Sequence, residues 1–257
     1  MPEERAGQSE RLKNGIHTAC LVCPIRLNDH FREFSPGELE FVRSFRKGEF
    51  HADAGTTILV EGSHSAHLYT VLTGWGFRYK ILEDGRRQIL NYVVPGDMIG
   101  LQGAVFDEMA HSVEALTPMR LCVFERDRLL SLFEKHPGLG YDLTWIASRE
   151  ESMLDDHLIS IGRRTALERA AYLLAFLDDR GRVSGLTGED KAYLPITQAH
   201  VADTLGLSIV HTNKTLKKLV SRGLIRWLDR GCEILDNFGL QEAANWKPDG
   251  ITRRPFI

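Results

Sequence analysis

The sequence predicts an α+β protein: an antiparallel β-roll of the jelly-roll kind, a long helix, and a winged helix-turn-helix toward the C-terminal end. Three observations carry this. Short β-rich runs recur between glycine and proline punctuation over residues 48–126. The apolar period then turns helical and stays so from Pro137 to about Ile161. Finally, Gly206 separates two capped helical patterns that are followed by a hairpin signal.

The chain has 257 residues, 43% apolar and 26% charged, enough for two domains that each bury a core. No run of 18 apolar residues occurs, so no membrane span is expected. Residues 1–15 are polar, without the apolar stretch of a signal peptide, which points to the cytoplasm. Residues 1–19 read as a flexible lead-in. The boundaries drawn from the sequence are a cysteine-containing segment 1–34, a β-roll 35–136, a long helix 137–162, the winged helix-turn-helix 163–238 and a tail 239–257.

Ser35 is placed to cap a short helix with Pro36 at its first position. The β-roll runs include Thr57–Val60, Leu68–Leu72, Phe77–Leu82, Ile89–Val94, Ser112–Leu116 and Arg120–Phe124. Asp84-Gly85 between two of them is a hairpin signal, because a type I′ turn needs φ > 0 at both central residues. On the long helix, Thr144, Ala147, Glu151, Leu154, Leu158 and Ile161 form one stripe at 3–4 spacing, the pattern of a dimer seam. A helix packed only on its own domain would show the same stripe, and Glu151 in a seam weakens pairing. A second helix is expected from Thr165 to Asp179, followed by a loop over 180–192.

Thr197 can cap a helix from Gln198 to Leu205, with Ala199, Val201, Ala202 and Leu205 as its packing residues. Gly206 permits the tight turn. Ser208 can cap a second helix reaching Ser221, with Leu216, Leu219 and Val220 buried and Lys214, Lys217, Lys218 and Arg222 offered outward. In this arrangement the second helix enters the major groove of double-stranded DNA. Asn213 can pair with adenine and Lys214 reach guanine or phosphate. Ile209 or Val210 can touch a thymine methyl. Thr197, Gln198 and Ser208 lie where helix N-termini favour phosphate, and His211 serves base, phosphate or solvent equally well. Charge agrees: residues 160–235 hold 12 Lys+Arg against 8 Asp+Glu, whereas residues 1–159 hold 17 against 24.

The four cysteines are Cys20, Cys23, Cys122 and Cys232. In a cytoplasmic chain Cys20-x-x-Cys23 reads as metal, cluster or redox chemistry rather than a staple. His64-x-x-His67 suggests a cupin-like metalloenzyme. No carboxylate follows where one is needed, and alternation would put two residues three apart on opposite strand faces; no enzyme is expected.

Over residues 20–240 the chain resembles the Crp/Fnr family of transcription regulators. The resemblance rests on Pro95-Gly96-Asp97-Met98-Ile99-Gly100, the long helix after Pro137, Arg164-Thr165-Ala166-Leu167-Glu168-Arg169, and the segment Ile196–Ile225. It implies a cyclic-nucleotide-binding-like roll and a homodimer on a palindromic operator, recruiting or blocking RNA polymerase. Members that bind cyclic AMP carry a Gly-Glu pair and an Arg-Ser/Thr-Ala. Here those places read Gly100-Leu101-Gln102 and His111-Ser112-Val113, so no cyclic AMP binding is expected, since His111 cannot replace a bidentate guanidinium. Val210, Asn213 and Lys214 replace the family's usual recognition residues, so the operator should differ too. Fnr-like members hold a [4Fe–4S] cluster. Cys20, Cys23 and Cys122 sit in matching places, with Asp29 or His30 where the remaining ligand falls. Idle thiols, a thiol switch, another metal, a haem or another small ligand, and a dimer that needs no ligand all stay open.

Overall fold

The computed structural model describes residues 20–188, 192–250 and 253–257; the lead-in 1–19 lies outside them. The chain divides into two compact units that cut across the boundaries drawn from the sequence. The first takes residues up to Gly76, Val93–Ser148 and the last residues from Thr252. The second joins Phe77–Tyr92 to Arg149–Ile251. A hairpin of the roll thus groups with the C-terminal domain, and the end of the tail groups with the roll.

In chain order the strands are β1 (Arg46–Ala52), β2 (Thr57–Leu59), β3 (His67–Thr73), β4 (Gly76–Ile81), β5 (Arg87–Val93), β6 (Met98–Ile99), β7 (Ser112–Ala115) and β8 (Met119–Glu125). The helices are α1 (Pro36–Phe45), α2 (Leu101–Phe106), α3 (Leu129–Lys135), α4 (Pro137–Arg163) and α5 (Ala166–Ser184). Ser35 caps α1 as expected: its Oγ accepts from Glu38 N at 3.3 Å, and Glu38 Oε2 accepts from Ser35 N at 2.8 Å. This reciprocal box fixes the start of α1.

In the first unit an antiparallel sheet runs β1-β8-β3-β6. Its register aligns Glu49 with Cys122, Cys122 with Thr70, and Thr70 with Met98. Side chains alternate between faces. One face, with Phe50, Tyr69, Val71, Leu121 and Val123, packs on Ile58, Val113 and Met109 inside the roll. The other, with Leu68, Cys122, Phe124 and Met98, is covered by Ile25, Phe31, Phe34, Phe45, Leu132, Leu139, Leu143, Phe256 and Ile257. Burial on both faces is why β3 and β8 read as continuous apolar runs rather than alternating ones.

In the second unit α5 extends to Ser184, so the loop expected over 180–192 begins later. Polarity misled there because the polar groups are internal. Arg180 is buried and donates to Tyr92 O at 3.0 Å, and Arg182 pairs with Asp178 at 3.0 Å. Gly185, at φ 75°, ends the helix. The remaining elements are β9 (Ala192–Leu194), α6 (Gln198–Leu205), α7 (Ile209–Ser221), β10 (Ile225–Leu228), β11 (Gly231–Ile234) and α8 (Asn237–Ala244). A sheet β10-β11-β9 forms the wing, and β9 is a strand the sequence reading missed.

Candidate nucleic-acid interface and thiol site

Thr197 and Ser208 cap α6 and α7 as the sequence indicated. Thr197 Oγ1 accepts from His200 N at 3.2 Å, and His200 Nδ1 accepts from Thr197 N at 3.2 Å; Ser208 Oγ accepts from His211 N at 3.3 Å. Gly206 turns the chain at φ 63°. Helix α7 buries Thr212, Thr215, Leu216 and Leu219. Val220, expected in the core, is exposed, as is Ala199; Thr204 takes the inward place on α6. Leu216 and Leu219 already fill the inner stripe, and Val220 falls one residue past it.

Of the predicted interface residues, Thr197, Ser208, Ile209, Val210, His211, Lys214, Lys217 and Lys218 stand at the surface, while Gln198 and Asn213 are half-buried. The Oδ1 of Asn213 is buried without a hydrogen-bond partner. A bidentate pair with adenine uses both ends of the amide, so Asn213 must turn outward to make it.

The hairpin β4–β5 seats α6, a long-range arrangement that no local signal reveals. Arg87 Nε bonds Asp203 Oδ2 at 2.8 Å, and Gln88 Nε2 donates to Thr204 O at 3.0 Å. The Tyr92 hydroxyl lies 3.0 Å from Thr204 Oγ1, which itself donates to His200 O, so Tyr92 is the donor. Phe77 meets the His200 ring at 5.3 Å. Burial foremost, with the Arg87 charge, lowers the His200 pKa against the pull of Asp203.

Behind this lies a buried polar chain. Arg78 pairs with Glu150 at 3.0 Å, and Asn91 Nδ2 donates to Glu150 Oε1 at 2.9 Å. Asn91 Oδ1 accepts from Tyr92 N at 2.8 Å and faces His157 Nε2 at 3.2 Å. That oxygen can only accept, so His157 carries its proton on Nε2 and its Nδ1 accepts from the Tyr172 hydroxyl at 2.8 Å. Burial, helped by the Arg180 charge, holds His157 down at about 4. Helix α4 therefore has two faces over its C-terminal half. Met153, His157 and Ser160 are buried, whereas Glu151, Leu154, Leu158 and Ile161, with Ala147 one turn earlier, are exposed; Leu158 is 70% exposed.

Cys20, Cys23 and Cys122 are brought within charge range of one another, although Cys122 is about a hundred residues away in sequence. Burial pushes the Cys122 thiol up to about 12, opposed first by the nearby Arg46 charge; burial also raises Cys23. Charge range is not ligating distance. Among the described residues no group of three or more His, Cys, Asp or Glu is arranged to hold a metal. Asp29 and His30, expected as sources of the remaining ligand, are exposed. The donor set therefore does not fit a four-ligand cluster in this conformation. The histidine pair needs a correction as well. His64 precedes β3 rather than lying on it, with Nδ1 at 2.9 Å from Asp107 O, so strand alternation does not govern it.

Two family models match the chain: a cyclic nucleotide-binding domain over residues 49–136 and a Crp-like helix-turn-helix domain over residues 168–243. The nitrogen fixation regulation protein FixK of Bradyrhizobium diazoefficiens is 33% identical over 220 residues, 84% of this chain and 90% of that one. The transcriptional activator protein FnrL of Cereibacter sphaeroides is 28% identical across 90% of this chain and 94% of its own. Among solved structures, FixK2 from Bradyrhizobium japonicum superposes with a TM-score of 0.68 at 26% identity, covering 80% of this chain and 98% of that one. Among the described residues no helix is long and apolar enough to cross a membrane. With a sheet-built nucleotide-domain relative in front, a Crp-like helix-turn-helix behind, and regulators rather than enzymes as its relatives, the chain belongs to the Crp/Fnr family of DNA-binding transcription regulators.

Proposed function

We propose that the chain binds a palindromic operator as a homodimer in the cytoplasm, pairing through Ala147, Glu151, Leu154, Leu158 and Ile161, and acts there on RNA polymerase. The observation that carries this is the two-faced α4: one face is filled from within the chain, and the other leaves Leu154, Leu158 and Ile161 in water at seam spacing. Leu158→Glu is expected to shift the protein to monomer at micromolar concentration and to cost at least about tenfold in operator affinity. Sedimentation and a DNA titration check this; a stable dimer would move the seam elsewhere.

On DNA, α7 supplies the readout. Lys214→Ala and Asn213→Ala are each expected to cost ~1–3 kcal/mol, confined to one base position if the residue reads a base edge. A loss equal on all sequences, with the salt slope falling by about 1, would make that residue a phosphate ligand. Binding curves on a matched panel of duplexes separate the two.

The signal is best read as redox, sensed at Cys20, Cys23 and Cys122, because the fold gathers these three distant thiols beside Arg46. An absorption spectrum with iron and sulfide assays on protein purified without oxygen tests the chemistry. An iron-free protein whose DNA affinity changes with a thiol oxidant supports a dithiol switch. An air-sensitive band near 400 nm would replace that switch with a cluster. Cyclic AMP is not the expected ligand. His111 and Ser112 are buried at the phosphate position, and Ser112 Oγ already accepts from Glu61 N at 3.0 Å.

A further inference from the structure

We propose that residues 253–257 form a strap, fastening the chain that leaves the winged helix onto the thiol-bearing face of the roll, and that its docking links access to Cys23 and Cys122 with operator affinity. Arg254 is built into the first unit from both backbone and side chain. Its N–H donates to His30 O at 2.9 Å, its C=O accepts from Arg32 N at 2.9 Å, and a parallel bridge joins it to Phe31. Its Nη2 meets Asp97 Oδ1 at 2.7 Å, and Asp97 Oδ2 is held in turn by Val94 N at 2.9 Å. The guanidinium lies 5.1 Å from the centre of the Phe31 ring. Gly96, at φ 88°, makes room for that ring: a Cβ there would sit 2.2 Å from it.

The end of the strap is apolar and inserted. Phe256 packs on Phe31 at 5.6 Å and on Phe34 at 4.6 Å. Ile257 is 2% exposed, and its carbonyl oxygen accepts from the Thr70 hydroxyl. Thr70 is the cross-strand partner of Cys122, and both strap residues share one apolar cluster with Cys122 and the half-buried Cys23. The strap is therefore part of the cover over these thiols.

Its other end is anchored in the second unit. Trp246 packs edge-on against Tyr172 and Phe176, and Asp249 pairs with Arg149. Asp249 and Arg254 are five positions apart, and five chain steps reach at most about 18 Å. The chain crosses between the units at both ends of the β4–β5 hairpin and within α4, and the segment leading into the strap is its fourth and last crossing. A movement of the winged helix that outruns this reach has to pull Phe256 and Ile257 from the sheet, which uncovers the thiols. Uncovering the thiols, by the same linkage, frees the winged helix.

The role of the thiols rests on the redox reading above; the strap's link to DNA does not. The test uses the full-length reduced protein, a duplex selected by the wild type from a random pool, and the double variant Arg254→Ala, Phe256→Ala. Iodoacetamide labelling of Cys122, followed by peptide mass spectrometry, is expected to accelerate at least about tenfold. Duplex affinity is expected to shift at least about fivefold, and the sign tells whether the docked strap holds the binding or the resting form. Saturating duplex should change the wild-type labelling rate in the corresponding direction. Unchanged affinity overturns the proposal even if labelling quickens, and unchanged labelling overturns it outright. If the double variant fails to fold, Arg254→Gln carries the same test, since it removes only the Asp97 pair and the cover on Phe31. Should the strap respond as expected while DNA binding ignores oxidants, the linkage stands and the redox reading fails.

Discussion

Asn91→Leu is expected to destabilise the second unit by about 3–5 kcal/mol. Asn91 is fully buried, and one amide serves three partners: it donates to Glu150 and accepts from Tyr92 N and His157 Nε2. Leucine fills a similar volume, so no large cavity opens. Glu150 keeps Arg78. The backbone N–H of Tyr92 and the imidazole N–H of His157 lose their acceptor inside the protein, and each orphaned donor costs roughly 1–3 kcal/mol. The damage should reach the helix-turn-helix, because the same hairpin seats α6 through Arg87, Gln88 and Tyr92. Urea unfolding followed by circular dichroism, compared with an exposed control such as Glu83→Leu, checks this. A loss under 1 kcal/mol would mean that water reaches the site.

Acid should weaken the same unit. An unfolded histidine titrates near the ordinary value of 6.5, whereas His157 is held at about 4. Above pH 6.5 the imidazole is neutral in both states and its stabilising arrangement is fully present. Between 6.5 and 4 the unfolded chain takes up a proton that the folded one refuses, so stability falls as pH falls. A gap of this size is worth about 3 kcal/mol when complete. Burial is the main cause and Arg180 adds to it, so the effect should survive moderate salt. His200, lowered in the same direction, contributes to the same window. Measured between pH 7.5 and 4.5, wild-type stability is expected to decline more steeply than that of His157→Gln, which has nothing to titrate there. Parallel slopes would show that folded His157 takes up its proton as readily as an unfolded histidine.

Local chemistry was legible in the sequence, and distant polar partnership was not. Ser35, Thr197, Ser208 and Gly206 act over three or four residues, so their capping and turning roles could be read directly. The roll and the recognition helix followed from apolar spacing. Arg180 and Arg182 looked like a loop because a polar residue advertises solvent unless its partner is known, and the partner of Arg180 is Tyr92, 88 positions away. The strap was invisible for the same reason: Arg253-Arg254-Pro255-Phe256-Ile257 carries no periodic signal, and its sites at His30, Thr70 and Asp97 are at least 157 positions away. The cysteines show both sides. Resemblance named the three that gather, but the fourth-ligand position at Asp29 depended on a fold of the segment that leaves it in water.

The wing thiol has a practical consequence. Cys232 sits opposite Leu194 and Trp227, fully buried, with its thiol pushed up to about 12 by that burial. It belongs to the second unit, while Cys20, Cys23 and Cys122 belong to the first. One molecule thus carries its own stopwatch for each half: Cys232 becomes chemically visible only when the wing opens, and Cys122 only when the face of the roll does. Cysteine-free backgrounds are unnecessary, and a single time course on the natural chain ranks the two openings against each other.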